Sequence, residues 1–172
     1  MIRIPAFVAA AALALSCRSP APQVRTNLDV AARNQLLDAI KGLAGKWEFV
    51  ENDGTRGTTE ICVTSAGTAV REILFPGGAH EMTNMYHLDG NELILTHYCG
   101  AGNQPRMYAS RIDGNQIRFL TDSVSDLKDP NEEYMGRMTL QLLDHDHMNQ
   151  LWWDCVGDKV AAEYQFSFTR AK

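Results

Sequence analysis

Two runs of alternating, strand-forming residues flank a Gly-Asn pair in the middle of the chain, and this pattern restricts the fold more than any other feature. The first run ends at Leu88-Asp89, the pair is Gly90-Asn91, and the second run extends to Cys99. Glycine and asparagine readily adopt the positive φ angles of the tight turns that join antiparallel strands. The segment is therefore predicted to form a β-hairpin.

The same turn chemistry returns at Gly114-Asn115, and a period of two extends from Trp47 to Thr169. About ten short strands are expected, and the absence of helical crossovers between them favours antiparallel pairing. A helical period predicts one amphipathic helix from about Leu28 to Leu43, with Asn27 as its N-cap. We predict a mainly β fold, a single antiparallel up-and-down β-barrel of about 8 to 10 strands with one N-terminal helix.

Length and charge limit the number of domains and the classes of partner. The chain has 172 residues and a formal net charge of -5, which suits one globular domain, predicted over residues 28–172. No cluster of Lys and Arg provides the basic face that nucleic-acid binding needs. A nucleic-acid partner is therefore not expected.

The N-terminus has the pattern of an export signal. Arg3 precedes an apolar stretch from Ile4 to Leu15, which is shorter than the ~20 residues that span a bilayer. We predict a signal peptide over residues 1–16 and a Pro-containing flexible tether over 17–27.

The residues before Cys17 resemble the lipobox of bacterial lipoproteins, and ordinary signal cleavage is the alternative. The resemblance implies lipidation of Cys17, and Arg18 after it favours the outer membrane of a host that has one. The expected location is the cell envelope or periplasm, with membrane attachment through the lipid anchor only. Cys62, Cys99 and Cys155 would remain, either as one disulfide and a spare thiol or as three thiols.

Hairpin geometry predicts which side chains face the interior. With Gly90-Asn91 as a two-residue turn, the facing pairs are Leu88 with Leu93, Tyr86 with Leu95, and Asn84 with His97. The leucines belong in the core, so Asn84, Tyr86 and His97 are predicted to point inward with them.

Applying the same register to Gly114-Asn115 predicts that Arg106 and Tyr108 also point inward. A buried Arg106 needs a carboxylate, a hydrogen-bond network or an anionic ligand. An internal network is one interpretation. The other is a ligand-binding site formed by Asn84, Tyr86, His97, Arg106 and Tyr108, with a fatty acid or another small amphipathic carboxylate on Arg106.

A Gly45-Lys46-Trp47 sequence follows the predicted helix and opens the first strand, and Arg170 ends the last strand. This combination resembles the lipocalin and calycin superfamily, in which a tryptophan closes one end of the barrel and a basic residue packs over it. The resemblance implies a cation-π contact between Trp47 and Arg170. The central block from Tyr86 to Arg106 also resembles exported bacterial lipocalin-like proteins of unassigned function.

These observations predict an exported barrel that binds a small hydrophobic or amphipathic molecule without covalent chemistry. A ligand-free structural or interaction protein of the cell envelope is an alternative, favoured by an interior below roughly 300 Å³. A haem-binding barrel using His97, or a hydrolase-like enzyme, is a further alternative. No catalytic residue, metal site or cofactor is predicted, because no nucleophile elbow or ligand spacing is present.

Overall fold

The computed structural model describes residues 25–157 and 159–172. The predicted signal peptide, Cys17 and the tether up to residue 24 lie outside those ranges. One helix, α1 (Val30–Lys41), precedes the sheet, and a single 3-10 turn (Ser65–Gly67) joins the second and third strands. The strands are β1 (Gly45–Glu51), β2 (Arg56–Thr64), β3 (Ala69–Leu74), β4 (Met82–Asp89), β5 (Glu92–Tyr98), β6 (Gln104–Ala109), β7 (Ile112–Asp113), β8 (Gln116–Ser125), β9 (Tyr134–Leu142), β10 (His147–Val156) and β11 (Lys159–Arg170).

The strands pair antiparallel in chain order and close into a barrel. β1 pairs with β11 on one side, and β6 pairs with β8 on the other. Ten strands form this wall, whereas β7 is a two-residue piece that pairs only with β8. The predicted mainly β barrel with one N-terminal helix is confirmed.

Helix α1 covers one end of the barrel, which we call the closed end. Its N-cap is Asp29, whose carboxylate accepts a hydrogen bond from the backbone nitrogen of Ala32 at 3.0 Å. The predicted cap, Asn27, was therefore wrong by two residues. The helix buries Leu36, Leu37 and Ile40 and contacts β3, β4 and β5.

Trp47 lies fully buried at the closed end, and Arg170 covers it. The Trp47 indole nitrogen donates to the carbonyl of Leu43 at 2.8 Å. The Arg170 guanidinium carbon lies 4.2 Å from the centroid of the Trp47 ring, which is the predicted cation-π contact. Arg170 also donates to the carbonyls of Gly42, Ala44 and His145.

Gly45 is required by this arrangement. Its φ is +140°, and a β-carbon at this position would lie 2.8 Å from a guanidinium nitrogen of Arg170. The backbone conformation disfavours any other residue here, and a side chain would also displace the guanidinium group of Arg170. The glycine before Trp47 therefore allows the arginine to seat over the ring.

The opposite end, which we call the open end, has no covering helix in the described residues. Four connections of four or more residues lie there, formed by residues 52–55, 75–81, 99–103 and 126–133, together with the short turn between β10 and β11. The candidate site lies between this end and the buried core.

Candidate functional site

A row of polar side chains crosses the interior at the centre of the barrel. Strand register places Glu72 on β3 opposite Asn84 on β4, and Asn84 opposite His97 on β5. The exposed fractions of these three side chains are 0%, 0% and 2%. The first hairpin thus has its predicted register, and Asn84, Tyr86 and His97 point inward as predicted.

Glu72 is the centre of this network. One carboxylate oxygen accepts hydrogen bonds from Asn84 Nδ2 at 2.8 Å and from the Tyr86 hydroxyl at 2.7 Å. The other accepts from Gln150 Nε2 at 2.8 Å. Three donors converge on the carboxylate, which offsets part of the cost of removing it from water.

Tyr86 and Gln150 have defined roles as donors to Glu72. Burial, and then the neighbouring charge of Glu72, raise the pKa of Tyr86 well above its usual value, so its hydroxyl keeps its proton. The indole nitrogen of Trp152 donates to Gln150 Oε1 at 2.9 Å. Because an indole nitrogen can only donate, it orients the Gln150 amide with its nitrogen toward Glu72.

The same reasoning sets the tautomer of His97. The nitrogen of the Asn84 side chain faces the Glu72 carboxylate, so its oxygen faces His97 Nδ1, at 2.7 Å. An amide oxygen accepts only, so Nδ1 carries the hydrogen. In the neutral ring, Nε2 is then a hydrogen-bond acceptor.

His97 Nε2 is buried and has no hydrogen-bond partner among the described residues. Burial lowers the pKa of His97 to about 4, which keeps the imidazole neutral at physiological pH. A buried acceptor without a partner is unusual in a folded protein. This nitrogen is the chemically distinctive atom of the barrel interior.

His97 lines a cavity that leads toward the open end. The cavity measures about 50 Å³. Its wall is mostly aromatic and thioether-containing, and is formed by Phe49, Leu74, Phe75, Met82, His97, Met135, Gln150, Trp152 and Phe166. The Trp152 and His97 rings are 5.1 Å apart between centroids.

The position of the Phe49 ring in this wall depends on Gly57. A β-carbon on Gly57 would lie 2.4 Å from the tip of the ring. Phe49 also packs edge-on against Phe75 and Phe166, with centroids 5.3 Å and 5.2 Å away. One face of the cavity is thus a fixed aromatic cluster.

The predicted inward orientation of Arg106 and Tyr108 was wrong. On β6 the buried side chains are Pro105, Met107 and Ala109, so Arg106 and Tyr108 lie on the outer face. Arg106 forms ion pairs there with Asp89, at 3.2 Å, and with Asp122. It is satisfied by carboxylates of the protein and does not line the cavity.

A break in strand pairing explains this difference. The Gly114-Asn115 hairpin has the expected pair, Ile112 with Ile117. Ser110 and Arg111 are not in strand conformation, and Tyr108 then pairs with Leu120 instead of Thr121. The alternation of inward and outward side chains is thus interrupted at Ser110 and Arg111, and Arg106 faces outward even though a second shift in the pairing restores its expected partner, Ser123.

Alternation with Leu151 and Cys155 in the sequence predicts that Trp153, and not Trp152, points inward, and this prediction was wrong. Met148, Gln150 and Trp152 share the buried face of β10. Trp153 lies outside and donates to Glu163 at 2.8 Å. The interior tryptophan is Trp152, which contacts His97.

Sequence reasoning missed Glu72, Gln150 and Trp152. Alternation carried a usable signal for two of them, because Glu72 lies between Val70 and Leu74, and Gln150 lies between Met148 and Trp152. A polar residue at the centre of an apolar face is the pattern that could have identified both.

Other chemical groups are accounted for within the described residues. Cys62, Cys99 and Cys155 are free thiols. No group of three or more His, Cys, Asp or Glu side chains that could hold a metal occurs in residues 25–157 or 159–172. The described helix is too short to cross a membrane.

Comparisons with known proteins identify no family. No family model matches the chain, and no curated protein matches it. One solved structure that resembles it is a protein of unknown function from the DUF3598 family of Nostoc punctiforme, with 14% identity and a TM-score of 0.49. The match covers 77% of this chain and 49% of that protein, so this chain spans about half the length of its structural neighbour.

Proposed function

We propose that this chain binds a small, mostly apolar molecule at the open end of its barrel, without covalent chemistry. The observation that carries the proposal is His97 Nε2, a buried, neutral acceptor without a protein partner beside an apolar cavity. A ligand that donates a hydrogen bond from an O–H or N–H group would satisfy it. The aromatic wall would contact the remainder of the ligand.

The volume of the cavity limits the ligand. A water-sized group needs about 10–15 Å³ of such space, so about 50 Å³ accommodates only a few atoms at this depth. The ligand therefore inserts one end and leaves the other at the open end. A haem macrocycle is far too large for this space, although a neutral imidazole is a common metal ligand.

Direct titration tests this function. We expect p-cresol, a small aromatic molecule with one O–H group, to bind the full chain in calorimetry with a stoichiometry of one. A Met82→Trp variant should abolish binding, because Met82 lines the cavity. Tyr98→Trp is the matched control, since Tyr98 is 50% exposed and lies outside the cavity.

A solid, ligand-free barrel with a structural role in the cell envelope is the second candidate. The observation that favours it is the small cavity, which is well below the roughly 300 Å³ that drug-sized ligands need. Failure of p-cresol and of similar small phenols to bind would transfer support to this candidate.

We also propose that the chain is an exported, calycin-like protein attached to the cell envelope through lipidated Cys17. The basic and apolar N-terminal residues and the Gly45, Trp47 and Arg170 arrangement support this. Expression of the full chain in a bacterium should yield a membrane-associated product that carries lipid at Cys17. A Cys17→Ser variant should lose that lipid, and an unlipidated wild-type product would contradict the proposal.

A further inference from the structure

Carboxylates are concentrated around the open end. The four longer connections there contain six acidic residues, Asp53, Glu81, Asp126, Asp129, Glu132 and Glu133, and one basic residue, Lys128. The whole chain has a formal net charge of -5. The approach to the cavity is therefore markedly more acidic than the molecule as a whole, and it attracts cations.

Asp154, on β10, and Glu133, in the last of these connections, carry two carboxyl groups where the interior meets this rim. Asp154 follows Trp152 on the inner face of β10 and is only 8% exposed. Glu133 comes two residues before Met135, which pairs with Asp154 across β9 and β10 and lines the cavity. Burial, and then the charge of Glu133, raise the pKa of Asp154 above its usual value.

A third carboxylate and a hydroxyl complete the inner rim. Glu51 follows Trp47 and Phe49 on the inner face of β1. Burial, and then the charges of Asp154, Glu133 and Glu51 in that order, raise the pKa of Tyr164. β11 pairs with β1 on one side and β10 on the other, so Tyr164 is flanked by the strands that carry Glu51 and Asp154.

No described lysine or arginine lines the cavity. Arg106, the one cation that the sequence predicts in the interior, lies outside between Asp89 and Asp122. A fatty acid or another carboxylate would therefore have no cationic partner in the cavity and would meet repulsion at the rim. The expectation of an anionic ligand has no support in this arrangement.

We propose that the ligand of the open-end cavity is an aromatic amine whose ring O–H or N–H donates to His97 Nε2 and whose ammonium group contacts the carboxyl groups of Asp154 and Glu133. This inference rests on the proposed function and adds the charge of the ligand and the position of each end. A buried acceptor at one end and a carboxyl pair at the other define the two polar contacts. The aromatic wall between them fits a ring.

The spacing is compatible with such a molecule. Trp152 contacts the His97 ring, and Asp154 comes two residues later on the same face. Two residues of extended strand span about 7 Å. A phenol ring with a two-carbon amine arm covers a comparable length.

Three probes with the same phenol ring distinguish the amine inference from the proposed function. Tyramine has both a hydroxyl and an ammonium group, 3-(4-hydroxyphenyl)propionate replaces the ammonium group with a carboxylate, and p-cresol has neither charge. We expect tyramine to bind the full chain at least about tenfold more tightly than the propionate, as charge-assisted hydrogen bonds usually allow. Raising the salt concentration should reduce this preference.

Variants assign the two contacts. Asp154→Asn and Glu133→Gln should weaken tyramine binding and leave p-cresol binding unchanged. Glu48→Gln is the matched control, because Glu48 is exposed on the outer face of β1. His97→Phe should remove the advantage of tyramine over phenethylamine, which lacks the hydroxyl. If His97→Phe fails to fold, the comparison of tyramine with phenethylamine on the wild-type chain still tests the contact.

The outcomes are distinguishable. Binding of p-cresol together with equal or tighter binding of the propionate would overturn the amine inference and leave the proposed function intact. Absence of binding for all the probes, p-cresol included, would contradict both.

Discussion

The two ends of the barrel treat buried polar groups in opposite ways. At the closed end, the Trp47 indole nitrogen donates to Leu43 and the Arg170 guanidinium donates to three carbonyls. At the open end, a hydrogen-bond network that begins at Trp152 stops at His97 Nε2, which has no partner among the described residues. The closed end is built as a plug, whereas the open end presents an acceptor to a cavity.

The comparison also shows that similar residues can serve different purposes. Trp47 and Trp152 are both buried tryptophans with satisfied indole nitrogens. The partner of Trp47 is a backbone carbonyl, which fixes the chain. The partner of Trp152 is Gln150, and this hydrogen bond orients the Gln150 amide so that its nitrogen donates to Glu72. Substitutions at the two ends should therefore separate stability from binding.

Trp47→Ala should have the largest effect. Removing a fully buried indole leaves a cavity and should lower the free energy of unfolding by about 3–5 kcal/mol. Chemical denaturation measures this, with Trp153→Ala as the control, since Trp153 is on the outer face. A similar loss in both variants would contradict the role of Trp47 as a plug.

Acid should lower the free energy of unfolding through protonation of His97. The pKa of His97 is about 4 in the folded protein and 6.5 for an ordinary histidine, so the unfolded chain binds the extra proton first. The contribution of His97 to the free energy of unfolding is fully present above pH 6.5. It falls by on the order of 3 kcal/mol as the pH drops to 4. Denaturation at several pH values should show this loss, and His97→Gln should remove it.

A matched variant sharpens the pH prediction. Burial, followed by the charge of Arg106, also lowers the pKa of His87, which lies on the outer face. We expect His87→Gln to keep most of the pH dependence that His97→Gln removes. The opposite order would assign the titration to the outer surface.

Glu72→Gln should destabilise the fold by about 2–3 kcal/mol, because an amide cannot accept from all three donors in the way a carboxylate does. It should also weaken binding of p-cresol, since Asn84 would no longer be oriented toward one tautomer of His97. Urea denaturation and calorimetry on the same sample measure both effects. Unchanged p-cresol affinity in a folded Glu72→Gln variant would contradict the link between Glu72 and His97.

Arg170→Lys should have the smallest effect, about 1 kcal/mol of stability, because lysine keeps the charge and loses the planar contact with Trp47. Binding of p-cresol should be unchanged, since Arg170 lies at the other end of the barrel. A loss of affinity in this variant would show that the two ends are coupled.

Sequence reasoning reached the fold and part of the site. The Gly90-Asn91 turn joins strands without interruption, so one turn was enough to orient Asn84, Tyr86 and His97. Before the Gly114-Asn115 turn, the strand is interrupted at Ser110 and Arg111. Extending the register of the turn through that interruption gave the wrong orientation for Arg106. Alternation holds only as far as the pairing is regular.

The network itself was harder to predict. Glu72 and Gln150 are 78 positions apart in the chain, and their contact depends on opposite walls of the closed barrel. Strand alternation can place each residue on a face, but it does not show which residues meet across the interior. The cavity volume is similarly a result of packing by Phe49, Trp152 and Phe166.

The central claim is that His97 presents a neutral, unprotonated Nε2 to a ligand. Nitrogen-15 NMR of the His97 ring at neutral pH, before and after addition of p-cresol, tests it most directly. We predict a proton on Nδ1, an unprotonated Nε2 in the free protein, and a shift of the Nε2 resonance when p-cresol donates to it. A proton on Nε2 in the free protein, or an Nε2 resonance that does not respond to p-cresol, would contradict the account.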